Sequence, residues 1–239
     1  AAPTGAGKTA IADYCIATAL AQRRRVIYTA PVKALSNQKF RDFTARHGDD
    51  VGIMTGDVTI QPAAPLIIMT TEIYRNTLLE DPARLERYAW IIFDEIHYLD
   101  DPERGTVWEE SLLFTPSHMN LLCLSATIPN VTQLAQWIRD IHGRPIEVIE
   151  ETHRPVPLTT LFQCQNMILA NPAQLKERGY HGHHKHPNRL HPLIHHLQEQ
   201  ARLPGILFTF GRRRAEDLAW EISDLGLADP SERLALRRL

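Results

Sequence analysis

Two short stretches hold the side chains from which phosphoryl-transfer chemistry is made. In Ala2-Pro3-Thr4-Gly5-Ala6-Gly7-Lys8-Thr9, glycines let the backbone curl so that successive N–H groups face phosphate oxygens. A helix opening behind the loop adds its partly positive N-terminus. In such a loop the lysine, Lys8, reaches the β- and γ-phosphates and the Thr9 hydroxyl holds Mg²⁺. The general pattern begins with Gly, where this chain has Ala2. The second stretch, Asp94-Glu95-Ile96-His97, follows the apolar run Trp90 to Phe93. There Asp94 is predicted to hold Mg²⁺ through a water, and Glu95 to orient and deprotonate an attacking water. Each stretch alone has a plainer reading, a glycine turn or two solvated acids. Together they predict a nucleotide site: Pro3, Thr4, Gly5, Ala6, Gly7, Lys8 and Thr9 around ATP, Thr9 and Asp94 on the metal, and Lys8, Asp94 and Glu95 as the catalytic set.

Such ligands meet only if strands deliver them to one edge of a sheet. Val26–Ala30, Leu66–Thr70, Trp90–Asp94 and Leu121–Ser125 are almost wholly apolar, as strands buried on both faces must be. Between them, Ile11, Cys15 and Ala19 recur at helical spacing within Lys8–Ala21, as do Leu134, Trp137, Ile138 and Ile141 later. Alternating strands and helices predict a doubly wound parallel α/β sheet. In an open parallel sheet, ligands gather at the carboxyl ends of the strands, where both stretches would sit.

Composition narrows the class without naming a function. With 239 residues, 44% hydrophobic and 23% charged, the chain can bury one good core and part of another. No run approaches the roughly 18 apolar residues of a membrane helix, and no secretory signal opens the sequence. The three cysteines, Cys15, Cys123 and Cys164, form no CxxC pair, which predicts buried thiols in a reducing, cytoplasmic setting. A net charge of -2 supplies no bulk positive field, so any nucleic acid must be held by a local groove.

Six segments fall in one order: APTGAGKT, APVKALSNQK at 30–39, GIMTGD at 52–57, TTEIYRN at 70–76, DEIHYLDDPERGTVWEE at 94–110 and LSATIPN at 124–130. Over residues 1 to about 160 the chain resembles a superfamily-two DExH-box helicase. The Arg-Gly…Trp-Glu-Glu continuation after DEIH is similar to the Ski-type, exosome-associated RNA helicases, which include the nuclear TRAMP helicase. The resemblance implies a RecA-like first lobe and an ATP-dependent RNA helicase motor. It implies that Pro31, Lys33 and Gln38, with Thr55, Gly56 and Asp57 and with Thr70 and Thr71, meet the nucleic-acid backbone. His97 and Ser125, Ala126 and Thr127 would couple hydrolysis to movement. Ile206 to Arg212 resembles the opening strand of a second lobe. Single-stranded or partly duplex RNA and RNA-decay partners are the implied partners, with a monomer favoured. A DNA helicase of the related repair subgroup, or a non-catalytic nucleic-acid-binding fragment, stays open as an alternative.

The expected organisation is a first RecA-like domain over 1–150, a connector over 151–203 and the beginning of a second RecA-like domain over 204–239. The phosphate loop normally hangs from a strand ahead of it, which is expected upstream of Ala1. An exit strand is expected near Glu147, and Ile206–Phe210 is expected to be a strand leading into a helix through Ala215, Leu218 and Ile222. The later motifs, including one that supplies arginine fingers worth about 10³–10⁵ in rate, would fall past Leu239, so little turnover is expected of this chain alone. His181, His183, His184, His186, His191, His195 and His196 invite a zinc site, but without cysteine partners they read as a polar connector. Arg23–Arg25 and Arg212–Arg214 read as solvated caps. Met54, Met69 and Trp108 read as core.

Overall fold

In the computed structural model the described residues are 1–164, 167–171, 173–174, 188–223 and 225–227. They divide into two units, Ala1–Pro157 and Leu158–Leu239. The first is a six-stranded sheet of β1 (Arg25–Ala30), β2 (Val51–Met54), β3 (Thr59–Ile60), β4 (Leu66–Thr70), β5 (Tyr88–Phe93) and β6 (Asn120–Cys123) in the order β3-β2-β4-β1-β5-β6. All neighbours are parallel except the short edge strand β3. Its helices are α1 (Lys8–Ala21), α2 (Lys33–His47), α3 (Thr71–Glu80), α4 (Gly105–Phe114) and α5 (Val131–His142).

Side chains alternate across a strand, and this alternation sorts the helices into two layers. Val26, Tyr28, Leu66, Ile68 and Ile92 pack with Ala12, Ile16 and Ala19 of α1 and Phe43 of α2. Ile27, Ile67, Met69, Ile91 and Phe93 pack with Tyr74 of α3, Trp108 and Leu112 of α4 and Ile138 of α5. Met69 and Trp108 are buried in that second layer and Met54 packs against it, as core residues. Asp94, two residues past Ile92, therefore projects toward the α1/α2 side.

Three expectations need correction. α1 is a helix, but its buried face is Ala12, Ile16 and Ala19, with Ile11 54% exposed; Ala19 is common to both stripes, and at the other two positions the buried residue is the next one along the chain. The segment near Glu147 forms no strand element. Its backbone is engaged outside any ladder: Arg139 Nη2 donates to Ile146 O at 2.9 Å, Ala1 N to Ile149 O at 2.7 Å, and Glu151 N to Ala1 O at 3.0 Å. Ile206–Phe210 is not a strand either. A strand needs a ladder partner for its N–H and C=O groups, this segment has none among the described residues, and Ile206 and Phe208 are 84% and 87% exposed.

The second unit contains the antiparallel pair β7 (Phe162–Cys164) and β8 (Met167–Leu169), α6 (Leu190–Glu199) and α7 (Arg212–Ser223). The expected helix through Ala215, Leu218 and Ile222 is α7. It meets α6 where Leu190 N donates to Glu221 Oε1 at 3.3 Å and the His191 ring donates to Glu221 O at 2.8 Å.

Candidate functional site

The phosphate-loop segment is held at the carboxyl end of the sheet. Ala2 N donates to Ser125 O at 3.0 Å, beside the hydrogen bonds of Ala1 to residues 149 and 151. Gly5 and Gly7 have φ of 88° and 83°, a left-handed geometry that costs an L side chain about 1–2 kcal/mol. Gly7 is the N-cap of α1 and offers no side-chain acceptor, and no acid lies in the first turn. The leading N–H groups of α1 are thus left to an outside anion. Lys8 Nζ folds back to Ala2 O at 3.0 Å and Pro3 O at 3.4 Å.

Asp94 sits at the end of β5, zipped to its neighbours: Asp94 N donates to Thr29 O at 3.0 Å, and Leu124 N to Phe93 O at 2.8 Å. It is 5% exposed. Tyr28, reaching from β1 on the same face, donates its phenol to Asp94 Oδ2. Burial, and then the Asp94 charge, push the Tyr28 phenol far above its ordinary range, so it acts as a permanent neutral donor. Lys39 of α2 completes the cluster. Its Nζ donates to Thr9 Oγ1 at 3.0 Å and lies 3.7 Å from Asp94 Oδ2. One ammonium touching both residues shows that Thr9 and Asp94, 85 positions apart in the sequence, converge on a single cation-sized point. The residues present fit a magnesium nucleotide: an uncapped helix start, a lysine within the loop, and one hydroxyl and one carboxylate on a common cation position.

Glu95 follows with φ 58° and ψ 45°, the left-handed region, which is uncommon for a residue with a Cβ. Ile96 N donates to Leu124 O at 2.9 Å, fixing the turn against the end of β6. His97 Nδ1 lies 3.3 Å from Glu95 Oε2 without hydrogen-bond alignment, and its ring contacts Tyr98 at 5.2 Å between centroids. Ser125 is buried and its Oγ is unpartnered. Ala126 is half-buried and Thr127 exposed.

A groove of about 470 Å³ opens nearby, lined by Pro31, Val32, Lys33, Ala34, Gly56, Thr70, Glu72, Ile73 and Arg104. Four expected nucleic-acid residues, Pro31, Lys33, Gly56 and Thr70, meet there. Asp57 reaches it through a 2.5 Å ion pair with Lys33. Thr55 is turned to its own loop, where Val58 N donates to its hydroxyl at 3.2 Å. Gln38 is exposed on α2 and Thr71 is fully buried with an unpartnered hydroxyl; neither lines the groove. A wider concavity of about 560 Å³, lined by Arg139, Asp140, Gly143, Arg144 and Pro145, shares no residue with either cluster.

Comparison with known proteins matches the DEAD/DEAH box helicase family over residues 1–134. The chain belongs to that family. It is 39% identical, over 97% of its length, to a fission yeast (Schizosaccharomyces pombe) protein named ATP-dependent RNA helicase mtr4, of which 24% is covered. It is 38% identical, over 98% of its length, to human Superkiller complex protein 2, with 21% covered. A DExH-box ATP-dependent RNA helicase of Arabidopsis thaliana, DExH9, is 50% identical across 66% of the chain and 16% of its own length. The chain thus spans about a quarter of the length of such relatives, or less. The mostly parallel sheet, with helices packed on both faces, is the RecA-like α/β fold of this helicase family.

Within that helicase fold, sequence reasoning overlooked Lys39, Tyr28 and Arg104. Lys39 left a readable trace. Ser36, Lys39 and Phe43 form the buried stripe of α2, and a lysine on such a stripe requires a buried anion. Arg104 donates to Pro31 O at 3.2 Å across the groove, a contact between distant segments with no local signature. Of the histidines, His181, His183, His184 and His186 lie outside the described residues. His191, His195 and His196 sit on α6, and no metal-holding group of three occurs among the described residues.

Proposed function

We propose that this chain is the ATP-hydrolysing first lobe of an RNA helicase motor. Residues 1–150 form that lobe, 151–203 a connector, and 204–239 the beginning of a second lobe. The observation that carries the reading is the convergence of Thr9 and Asp94 on one ammonium position at the mouth of the glycine loop. The loop N–H groups and Lys8 bind the phosphates of ATP, with Lys8 leaving the Ala2 and Pro3 carbonyls as it does so. Thr9 and, through a water, Asp94 would hold magnesium, which when bound would neutralise the phosphate charge. Tyr28 keeps Asp94 oriented from behind. Glu95 accepts the proton of the attacking water, aimed by the fixed turn at the end of β5.

RNA lies along the groove of Pro31, Lys33, Gly56 and Thr70, gripped by its backbone, so register is fixed without reading bases. Ser125, stitched to Ala2, and His97, beside Glu95, carry the consequence of hydrolysis away from the nucleotide. The RNA assignment rests on the relatives named as RNA helicases and on the segment Arg104-Gly105…Glu109-Glu110. A cytoplasmic location and RNA-decay partners belong to the same proposal.

The test is ATP hydrolysis by the full-length gene product with single-stranded RNA, single-stranded DNA or neither. RNA should stimulate turnover most, and Glu95→Gln should lower it by about 10² or more while leaving ATP binding in place. Stimulation by DNA alone would move the protein to the repair helicases. Turnover indifferent to both would remove the groove from the mechanism.

A further inference from the structure

Lys39 is only 8% exposed, and its ammonium has three neighbours: Thr9 Oγ1 at 3.0 Å, Asp94 Oδ2 at 3.7 Å and the Tyr28 ring, 5.7 Å to the centroid. Thr9 and Asp94 are the two groups that the proposed function gives to Mg²⁺. A hydroxyl oxygen keeps a second lone pair, but an ammonium and a metal ion crowded onto the same hydroxyl and the same carboxylate repel each other. Asp94 in turn cannot stand alone. It is 5% exposed, and Tyr28 brings it a neutral hydrogen bond but no charge. Lys39 is its one ion-pair partner among the described residues.

We propose that Lys39 is a tethered cation that competes with Mg²⁺ for Thr9 and Asp94. It neutralises Asp94 and keeps the two ligands together when no metal is bound, and it withdraws when Mg²⁺ arrives with the nucleotide. The lysine stem is long and flexible enough for that exchange, and the face of Tyr28 gives the displaced ammonium a favourable resting surface. Arginine at this position would serve less well, because its broad planar fork cannot step aside as a point charge can. The inference rests on the reading of Thr9 and Asp94 as the metal-holding pair.

The experiment compares the wild-type chain with Lys39→Met and with the double variant Lys39→Met/Asp94→Asn. Melting temperature is followed in EDTA and across a Mg²⁺ titration without nucleotide. Binding of a fluorescent ATP analogue is then followed as Mg²⁺ is raised. Lys39→Met should melt several degrees lower in EDTA and recover as Mg²⁺ is added, whereas the wild type should scarcely respond. In the presence of the analogue, half-saturation by Mg²⁺ should fall about tenfold in Lys39→Met, the scale of a typical coupling between two sites. A melting loss that Mg²⁺ does not recover, or an unchanged half-saturation, would overturn the competition. If Lys39→Met does not fold, the double variant should, since charge and counter-charge leave together; a double variant that also fails to fold overturns the proposal. Analogue binding by the wild type that ignores Mg²⁺ altogether would instead remove the metal reading beneath it.

Discussion

Glu95 holds a backbone geometry that its residue type disfavours. At φ 58° and ψ 45° its Cβ crowds the following carbonyl, at a cost of roughly 1–2 kcal/mol. The turn from Asp94 to Ile96 is locked by hydrogen bonds to Thr29 and Leu124, so the fold imposes the strain, and strain of this kind collects at functional sites. Glu95→Gly should therefore raise stability by about 1 kcal/mol while abolishing ATP turnover. Urea unfolding beside an ATPase assay checks it, and a destabilised variant would show that the geometry is not strained. The acidic pair and the loop were legible in the sequence because their spacing is local and chemically unusual. Lys39 was half-legible, as a charge on a buried stripe. Tyr28 and Arg104 were not, because their contacts join residues 66 and 73 positions apart and exist only once the sheet has brought them together.

At the scale of the element, almost wholly apolar strands announced themselves, while β2, interrupted by Gly52, and the two-residue edge strand β3 did not. The failed expectation at Ile206–Phe210 has the same root: an apolar run predicts burial, but pairing depends on a neighbour. Gly105 shows what a helix start can hide. It begins α4, is buried, and donates its N–H to Asp101 O at 2.7 Å; a Cβ built there would lie 2.5 Å from the Leu99 carbonyl oxygen. That oxygen belongs to the turn carrying His97, so neither side can yield cheaply. Gly105→Ala should cost about 1–3 kcal/mol, the usual scale of overpacking, and weaken RNA binding by displacing Arg104 from Pro31. A urea midpoint equal to wild type would refute the close approach.

The far ends of α4 and α5 make a second element-scale case. His142 donates from Nε2 to Leu112 O at 3.0 Å, tying the end of α5 to α4. Burial, then the Arg144 charge, hold its pKa below the ordinary value of 6.5, with the Leu112 bond pulling the other way. The unfolded chain therefore takes up this proton first as the pH falls. The stability it contributes is complete above about 6.5 and is lost as the pH drops from there through the lowered folded value. Replacing His142 with Gln should flatten the loss of stability between neutral and mildly acid pH, read as urea midpoints on both sides of 6.5. An unchanged acid slope would place the titrating group elsewhere.

For the whole molecule, the net charge of -2 means that no long-range field gathers nucleic acid, and the groove must act with its own few cations. Lys33 and Arg104 are the basic side chains lining it. Lys33 is paired with Asp57 at 2.5 Å, but both side chains are more than half exposed, at 53% and 69%, so the pair is worth little and opens readily. Each phosphate neutralised on a single strand contributes a slope of about -0.7 to log affinity against log salt. Two groove cations should then account for about -1.4 of whatever slope the chain displays. Lys33→Gln and Arg104→Gln should each make the slope shallower by about 0.7, with the same loss of affinity on every RNA sequence, because backbone contacts carry no base information. Asp57→Asn, which frees Lys33, should tighten binding without steepening the slope. Fluorescence anisotropy of labelled oligoribonucleotides over a KCl series reads all three. A slope untouched by both cation variants would move the RNA track off this groove, while a loss confined to certain sequences would mean that the groove reads bases.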